Sequence, residues 1–176
     1  PSTDEAHRSY RERSAALEPV RFSLGSHRGC FGSCSFCAIG SHQGRIIQSR
    51  SPESLAREAG RLAGMEGFTG VIQDLGGPTA NMYGFACPNW AVAGTCPDRA
   101  CGPDCRSLVS GEKAHLALLR GVRAVPGVRK VFVASGVRHD LVDLEDPEDF
   151  TAPCRHHVGG HLTVAPEHIS PRVLSL

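Results

Sequence analysis

Three cysteines fall within eight residues in the segment Arg28-Gly29-Cys30-Phe31-Gly32-Ser33-Cys34-Ser35-Phe36-Cys37, a C-x3-C-x2-C pattern. Thiolates this close can wrap one face of a metal centre, and Gly29 and Gly32 allow the tight turns that wrapping needs. The number three carries the chemistry. A structural zinc ion takes four protein ligands, and a fully held iron–sulfur cube takes four as well. Three leave one metal position open to an exogenous ligand, the mark of a catalytic metal. Two other readings stand beside this one. One is a zinc knuckle completed by a cysteine from elsewhere. The other is three buried thiols, which oxidation disfavours at such spacing.

A second set follows: Cys87, Cys96, Cys101 and Cys105, in a stretch that also carries Pro88, Pro97 and Pro103. Four thiols suffice to close a tetrahedral zinc site or to hold an auxiliary iron–sulfur cluster. A bound metal would explain how an irregular segment of low apolar content stays ordered. Unligated thiols in a mobile loop are the alternative. Cys154 stands alone and reads as a buried helix cysteine. Eight cysteines in 176 residues exceed ordinary usage but fall below a small disulfide scaffold, and a chain of this length needs no staples. Clustering therefore points to metal ligation in a reducing compartment.

The elements that must position these residues alternate. Short β-rich runs occur at Val20–Leu24, Gly70–Leu75, Lys130–Ser135 and His161–Ala165. Between them lie amphipathic helical stretches. Ser51-Pro52 offers an N-cap and a first-turn proline, with Leu55, Ala59 and Leu62 on one face. Ser110 is a candidate cap for the next helix, whose apolar face is Leu118, Leu119, Val122 and Val125 before a stop at Pro126-Gly127. Asp146-Pro147 opens a third, which Pro153 is expected to shorten. Strand–helix alternation predicts right-handed βαβ crossovers and a parallel sheet. Ligands of such sheets bind beyond the C-terminal strand ends. The informative segments lie there: Cys30–Cys37, Asp74-Leu75-Gly76-Gly77-Pro78, Ser135-Gly136-Val137-Arg138 and Ala165-Pro166-Glu167-His168. Four such units are too few for a closed eight-unit barrel. The predicted fold class is therefore α/β: residues 20–176 as a partial (β/α) barrel, an open sheet or half of an assembly, with a Cys-rich insertion at about 84–109. Residues 1–19 read as an exposed helix or a linker.

Lys and Arg number 19 against 18 Asp and Glu, a net charge of +1. That balance, with 6% aromatic residues, argues against a nucleic-acid or general polyanion binder. No apolar run approaches the ~20 residues that span a bilayer, and no signal-peptide pattern opens the chain. The expectation is a soluble, cytoplasmic protein with no membrane partner. The chain opens on Pro1, and a helix-like stretch begins at Ile169–Leu176 and stops. A piece of a longer protein is expected.

The C-x3-C-x2-C pattern, with aromatic Phe36 before its last cysteine, resembles the signature of the radical S-adenosylmethionine (SAM) superfamily. The likeness extends along Gly44–Ser51, Gly67–Ile72, Asp74–Tyr83, Ala134-Ser135-Gly136 and His156–Gly160, blocks that resemble the YgiQ-type branch of uncharacterised radical SAM proteins. It runs from about residue 22 to 170.

The resemblance implies an enzyme core of the radical SAM type. In that superfamily SAM chelates the open iron of a [4Fe–4S] cluster, and one electron cleaves it to a 5′-deoxyadenosyl radical that abstracts hydrogen from a substrate. Carried over, Cys30, Cys34 and Cys37 hold the cluster and Phe36 packs near the adenine. Gly76-Gly77-Pro78 occupies the place of a Gly-Gly-Glu-like turn that receives the SAM amino group, with Pro78 where the acid would stand. Ser135 and Arg138 would contact the SAM ribose or carboxylate, which an Arg can bind bidentately. Glu167 and His168 would face substrate or ribose. Asp74 would shape or cap the SAM loop. A flavodoxin- or ferredoxin-like electron donor is implied. The second cysteine set would hold zinc or a second iron–sulfur cluster. The rival class is a zinc-stabilised binding module without catalysis.

Overall fold

A computed structural model describes residues 17–97, 101–166 and 169–174. Most of the helix or linker expected over 1–19 lies outside these residues.

Phe22 and Leu24 are buried at the first β-rich run, where β1 (Ser23–Gly25) forms. It is followed at once by β2 (His27–Arg28), and later by β3 (Gln48–Ser49). Between β2 and β3 a single helical turn, α1 (Ile39–His42), lies beyond the first cysteines. The Gly70–Leu75 run becomes β4 (Val71–Ile72) and β5 (Asp74–Gly76), and the Lys130–Ser135 run contributes β6 (Lys130–Val131). β1 pairs parallel with β5 in the register Ser23↔Asp74, Leu24↔Leu75, Gly25↔Gly76. β4 pairs parallel with β6, Val71 opposite Lys130. The Leu75 N–H donates to Phe132 O at 2.8 Å, which ties these two small sheets together. A parallel bridge joins Val137 to Val164, inside the fourth predicted run. The architecture is α/β with parallel strands in small sheets, as the alternating pattern requires.

The helices follow their caps. The N-terminus of α2 (Pro52–Ala63) is held by Ser51, whose hydroxyl accepts from Ser54 N, and Leu55, Ala59 and Leu62 are its buried residues. After α3 (Pro88–Val92) comes α4 (Glu112–Arg123), whose N-cap position is Gly111. Ser110 is one residue too early for that position. Its hydroxyl still accepts from Glu112 N at 3.3 Å. Leu118, Leu119 and Val122 are buried on α4 as expected, joined by Leu116. α5 (Glu148–His157) runs through Pro153 instead of stopping short. The lost N–H bond is offset by burial of Ala152, Pro153 and His157 and by the bond between His157 Nδ1 and Val131 O at 2.8 Å. α6 (Pro171–Leu174) is a last short turn.

Two apolar cores result. The larger lies between the strands and the helices, around Leu24, Leu55, Ile72, Leu75, Leu119, Val122 and Val131. The smaller gathers Phe31, Ile47, Met82, Phe85, Cys101 and Leu141, with Cys30 and Trp90 packed against it. Both cysteine-bearing segments thus share one satellite core. Among the described residues no helix is long and apolar enough to cross a membrane.

Candidate functional site

Cys30, Cys34 and Cys37 sit on the excursion between β2 and β3. Those strands pair antiparallel, His27 with Ser49 and Arg28 with Gln48, and so pin its two ends together. Inside it, Cys30 N donates to Gly44 O at 3.1 Å and Cys37 N to Cys34 O at 3.0 Å. Gly29 has φ +87°, and a Cβ there would stand 2.1 Å from Ile46 O, so glycine is required twice over. Ser33 takes φ 53°, a left-handed conformation uncommon for a residue with a side chain and found disproportionately at functional sites.

The three cysteines are half-buried. A Cβ on Gly32 would lie 3.4 Å from Cys30 Sγ and 3.6 Å from Cys34 Sγ, so two thiols flank the same side-chain-free face. Cys30 Sγ also accepts from Gly32 N at 3.5 Å and lies 3.8 Å from Thr79 Oγ1. No three His, Cys, Asp or Glu side chains among the described residues stand at metal-ligating spacing. The donor set itself fits an iron–sulfur centre: soft thiolates on one loop, beside a glycine that leaves space open.

The other strand ends close around this loop. Asp74 Oδ1 accepts from Ala134 N at 2.9 Å and Ser135 N at 3.3 Å, and its Oδ2 from the Ser135 hydroxyl. Gly76 lies beneath that link, where a Cβ would meet Ser135 Oγ at 2.4 Å. A Cβ on Gly77 would strike the His27 ring at 2.5 Å. Both glycines are therefore demanded by close approach and not by turn geometry. Pro78 is half-buried beside them.

Arg138 is fixed from two directions. Its N–H donates to Asn81 Oδ1 and its carbonyl accepts from Asn81 Nδ2, both at 2.9 Å. Its guanidinium forks onto Asp140, Nε to Oδ1 at 2.8 Å and Nη2 to Oδ2. This pair holds Asp140 below the usual carboxylate range and Arg138 above its own ordinary value. Nη1 remains on the thiol side, 3.0 Å from the Cβ position of Gly32. Arg138 is thus a largely buried ion pair facing Cys30 and Cys34. Phe36 is 72% exposed. Glu167 and His168 lie outside the described residues.

Four neighbours escaped the sequence reading: His27, Thr79, Asn81 and Asp140. His27 is buried, and burial lowers its pKa to about 4, with the Thr79 backbone pulling weakly upward. The Ser26 hydroxyl donates to Gly76 O and shares a 2.9 Å bond with His27 Nδ1. Their signal was adjacency alone, since Thr79 and Asn81 lie within the Asp74–Tyr83 block.

In the second set Cys101 is buried and Cys87, Cys96 and Cys105 are half-buried. Burial pushes the Cys101 thiol up, and Cys105, Cys96 and Cys87 push it the same way. Arg45, from the first cysteine excursion, donates through Nη1 to Cys96 O at 3.2 Å. Cys154 is on α5 as expected but half-buried, and burial raises its thiol. His156 and His157 form the last turn of α5.

No family model matches the chain. It is 53% identical over 175 residues to a UPF0313 protein of Methanosarcina acetivorans, covering 98% of this chain and 24% of that relative. To a UPF0313 protein of Clostridium botulinum (strain Okra) it is 48% identical over 164 residues, covering 92% of this chain and 26% of that one. The chain is similar to UPF0313 proteins along nearly its whole length. UPF0313 is the YgiQ-type, radical SAM-like group that the cysteine loop and its co-linear blocks resemble. A UPF0313 protein of Methanocella arvoryzae adds 48% identity over 175 residues, 29% of its length. The chain spans about a quarter of the length of these curated UPF0313 relatives.

Proposed function

We propose that this chain is part of a radical SAM enzyme, a partial (β/α) barrel whose cluster loop holds a [4Fe–4S] centre through Cys30, Cys34 and Cys37. The observation that carries the reading is the flanking of Gly32 by two thiols, on a loop pinned by β2 and β3. When bound, the reduced cluster supplies the electron that cleaves SAM to a 5′-deoxyadenosyl radical able to take hydrogen from a substrate.

The chain's own residues do the positioning. To hold the cluster the three thiols would turn inward about their short side chains, each giving up its proton on ligation. Gly76, Gly77 and Pro78 present backbone to the SAM amino group, and the packed His27 ring fixes the level of Gly77. Ser135, oriented by Asp74, faces the ribose. Arg138 directs Nη1 toward the loop while Asp140 occupies its fork, so its part is positive charge beside the thiolates more than a bidentate grip on the SAM carboxylate. Phe36, exposed on the loop, covers the adenine. A flavodoxin- or ferredoxin-like donor delivers the electron in the cytoplasm.

Anaerobic reconstitution with iron and sulfide tests this, with metal counted in the wild type and in a Cys30→Ala/Cys34→Ala/Cys37→Ala variant. Brown protein whose visible absorbance bleaches with dithionite, and which loses about four irons per chain in the variant, is expected. Colourless protein holding zinc and no sulfide would overturn the reading in favour of a zinc-stabilised module.

A further inference from the structure

Thr79 follows the Gly76-Gly77-Pro78 turn and holds the N-cap position of a 3-10 turn at Ala80–Met82. A threonine in that place ordinarily spends its hydroxyl on the backbone N–H groups of the turn. This one makes no such bond. The residue is 7% exposed, so its hydroxyl needs a partner inside the protein. Among the described residues that partner is Cys30 Sγ, 3.8 Å from Oγ1 and 49 positions away along the chain.

The backbone around Thr79 is tied down. Ala80 N donates to Gly136 O at 2.8 Å, and Met82 N donates to Thr79 O at 3.1 Å. Asn81 is bonded twice to the Arg138 backbone. A β-branched side chain on such a frame is stiff at χ1, so Oγ1 stays in place while its hydrogen rotates toward the sulfur. Cys30 is held as well: its N–H donates to Gly44 O at 3.1 Å, and its Sγ accepts from Gly32 N at 3.5 Å. The strand-end rim therefore meets the cysteine loop through a polar contact to one particular sulfur.

We propose that Thr79 is a positioning residue for the centre at Cys30–Cys37: its hydroxyl donates to the Cys30 thiolate, holds that ligand toward the Gly76-Gly77-Pro78 turn and makes the bound cluster easier to reduce. This role rests on the iron–sulfur reading above. In the free thiol either atom can donate. A ligating thiolate has no proton, so the hydroxyl becomes the donor. Reduction adds negative charge to the cluster, and a hydrogen bond to one of its sulfurs stabilises that charge and raises the potential.

The test uses Thr79→Val, which keeps the shape and removes the hydroxyl, and Thr79→Ser, which keeps the hydroxyl. Thr79→Ala serves where Thr79→Val does not fold. In the metal-free protein, Thr79→Val should lower the urea midpoint. With Cys30→Ala already present the hydroxyl has lost its partner, and Thr79→Val should then leave the midpoint unchanged or raise it. Equal shifts in the two backgrounds would show that the side chains do not interact and would overturn the proposal. After anaerobic reconstitution, the ratio of reduced to oxidised cluster at the wild-type midpoint potential should fall severalfold in Thr79→Val, and Thr79→Ser should restore it. An unmoved potential in Thr79→Val at matched iron content overturns the positioning role. Coupling in the metal-free protein with no iron taken up by the wild type sinks the iron–sulfur reading, and the positioning role with it, while the Thr79–Cys30 bond stands as a structural one.

Discussion

Single side chains do the joining at the rim. Asn81 uses its whole amide on the backbone of Arg138, one donor and one acceptor. Asn81→Ala leaves the Arg138 N–H without its partner, while the Arg138 carbonyl keeps only Leu141 N at 3.3 Å. The expected cost is about 1–3 kcal/mol, read as a lower urea midpoint at unchanged slope; an unchanged midpoint would show that water replaces the amide. Gly29 answers to a different force, the 2.1 Å approach of a would-be Cβ to Ile46 O at positive φ. Gly29→Ala should deform the loop between β2 and β3 and lower reconstituted iron severalfold, whereas Gly94→Ala, also at positive φ but open to solvent, should leave iron content intact. Equal iron in both variants would remove Gly29 from the site. Arg138→Gln removes the charge beside Cys30 and Cys34 and should make the bound cluster harder to reduce, measured by dithionite-poised titration. An unmoved midpoint would return Arg138 to a purely structural pair with Asp140.

At the scale of elements, α2 is the plainest case of sequence dictating structure. Ser51 caps it, Pro52 opens it and the i, i+4, i+7 apolar positions are buried. Ser51→Ala should cost about 1 kcal/mol in global stability, and a change below the error of denaturation would mean that another donor covers Ser54 N. The parallel strands were legible for the same reason: β-branched and apolar runs between amphipathic helices have few other solutions. β2 and β3 were not legible. Gln48 and Ser49 are polar and exposed, and two-residue strands carry no alternation to read. Their pairing is imposed by the tertiary need to close a cysteine loop. Pro153 misled because local propensity lost to packing, with His157 anchoring the end of α5 to Val131. The glycines of Asp74–Pro78 were legible as a turn, but the ring of His27 that makes Gly77 obligatory is distant in sequence and invisible to pattern.

At the scale of the whole molecule, buried histidines link stability to acidity. Burial lowers His27 and His115 from 6.5 to about 4 and lowers His157 as well, so the unfolded chain binds protons that the folded one refuses. Stability is therefore full above pH 6.5 and falls as pH drops from there toward 4. Burial raises Glu112, which opposes the trend at the acid end. The loss between pH 7 and 5 should be roughly 2 kcal/mol per strongly shifted histidine, and His115→Phe should remove its share; identical urea midpoints at pH 7 and 5 would contradict this. The cluster loop and the strand-end rim, joined by Asn81–Arg138, Asp74–Ser135 and His27–Gly77, gain their purpose only if three thiolates present an open iron to SAM. The most direct measurement is 5′-deoxyadenosine released from SAM by the dithionite-reduced, reconstituted protein, wild type against Cys34→Ala. Release by the wild type and none by the variant is predicted. Release by both, or by neither at full iron loading, would contradict it.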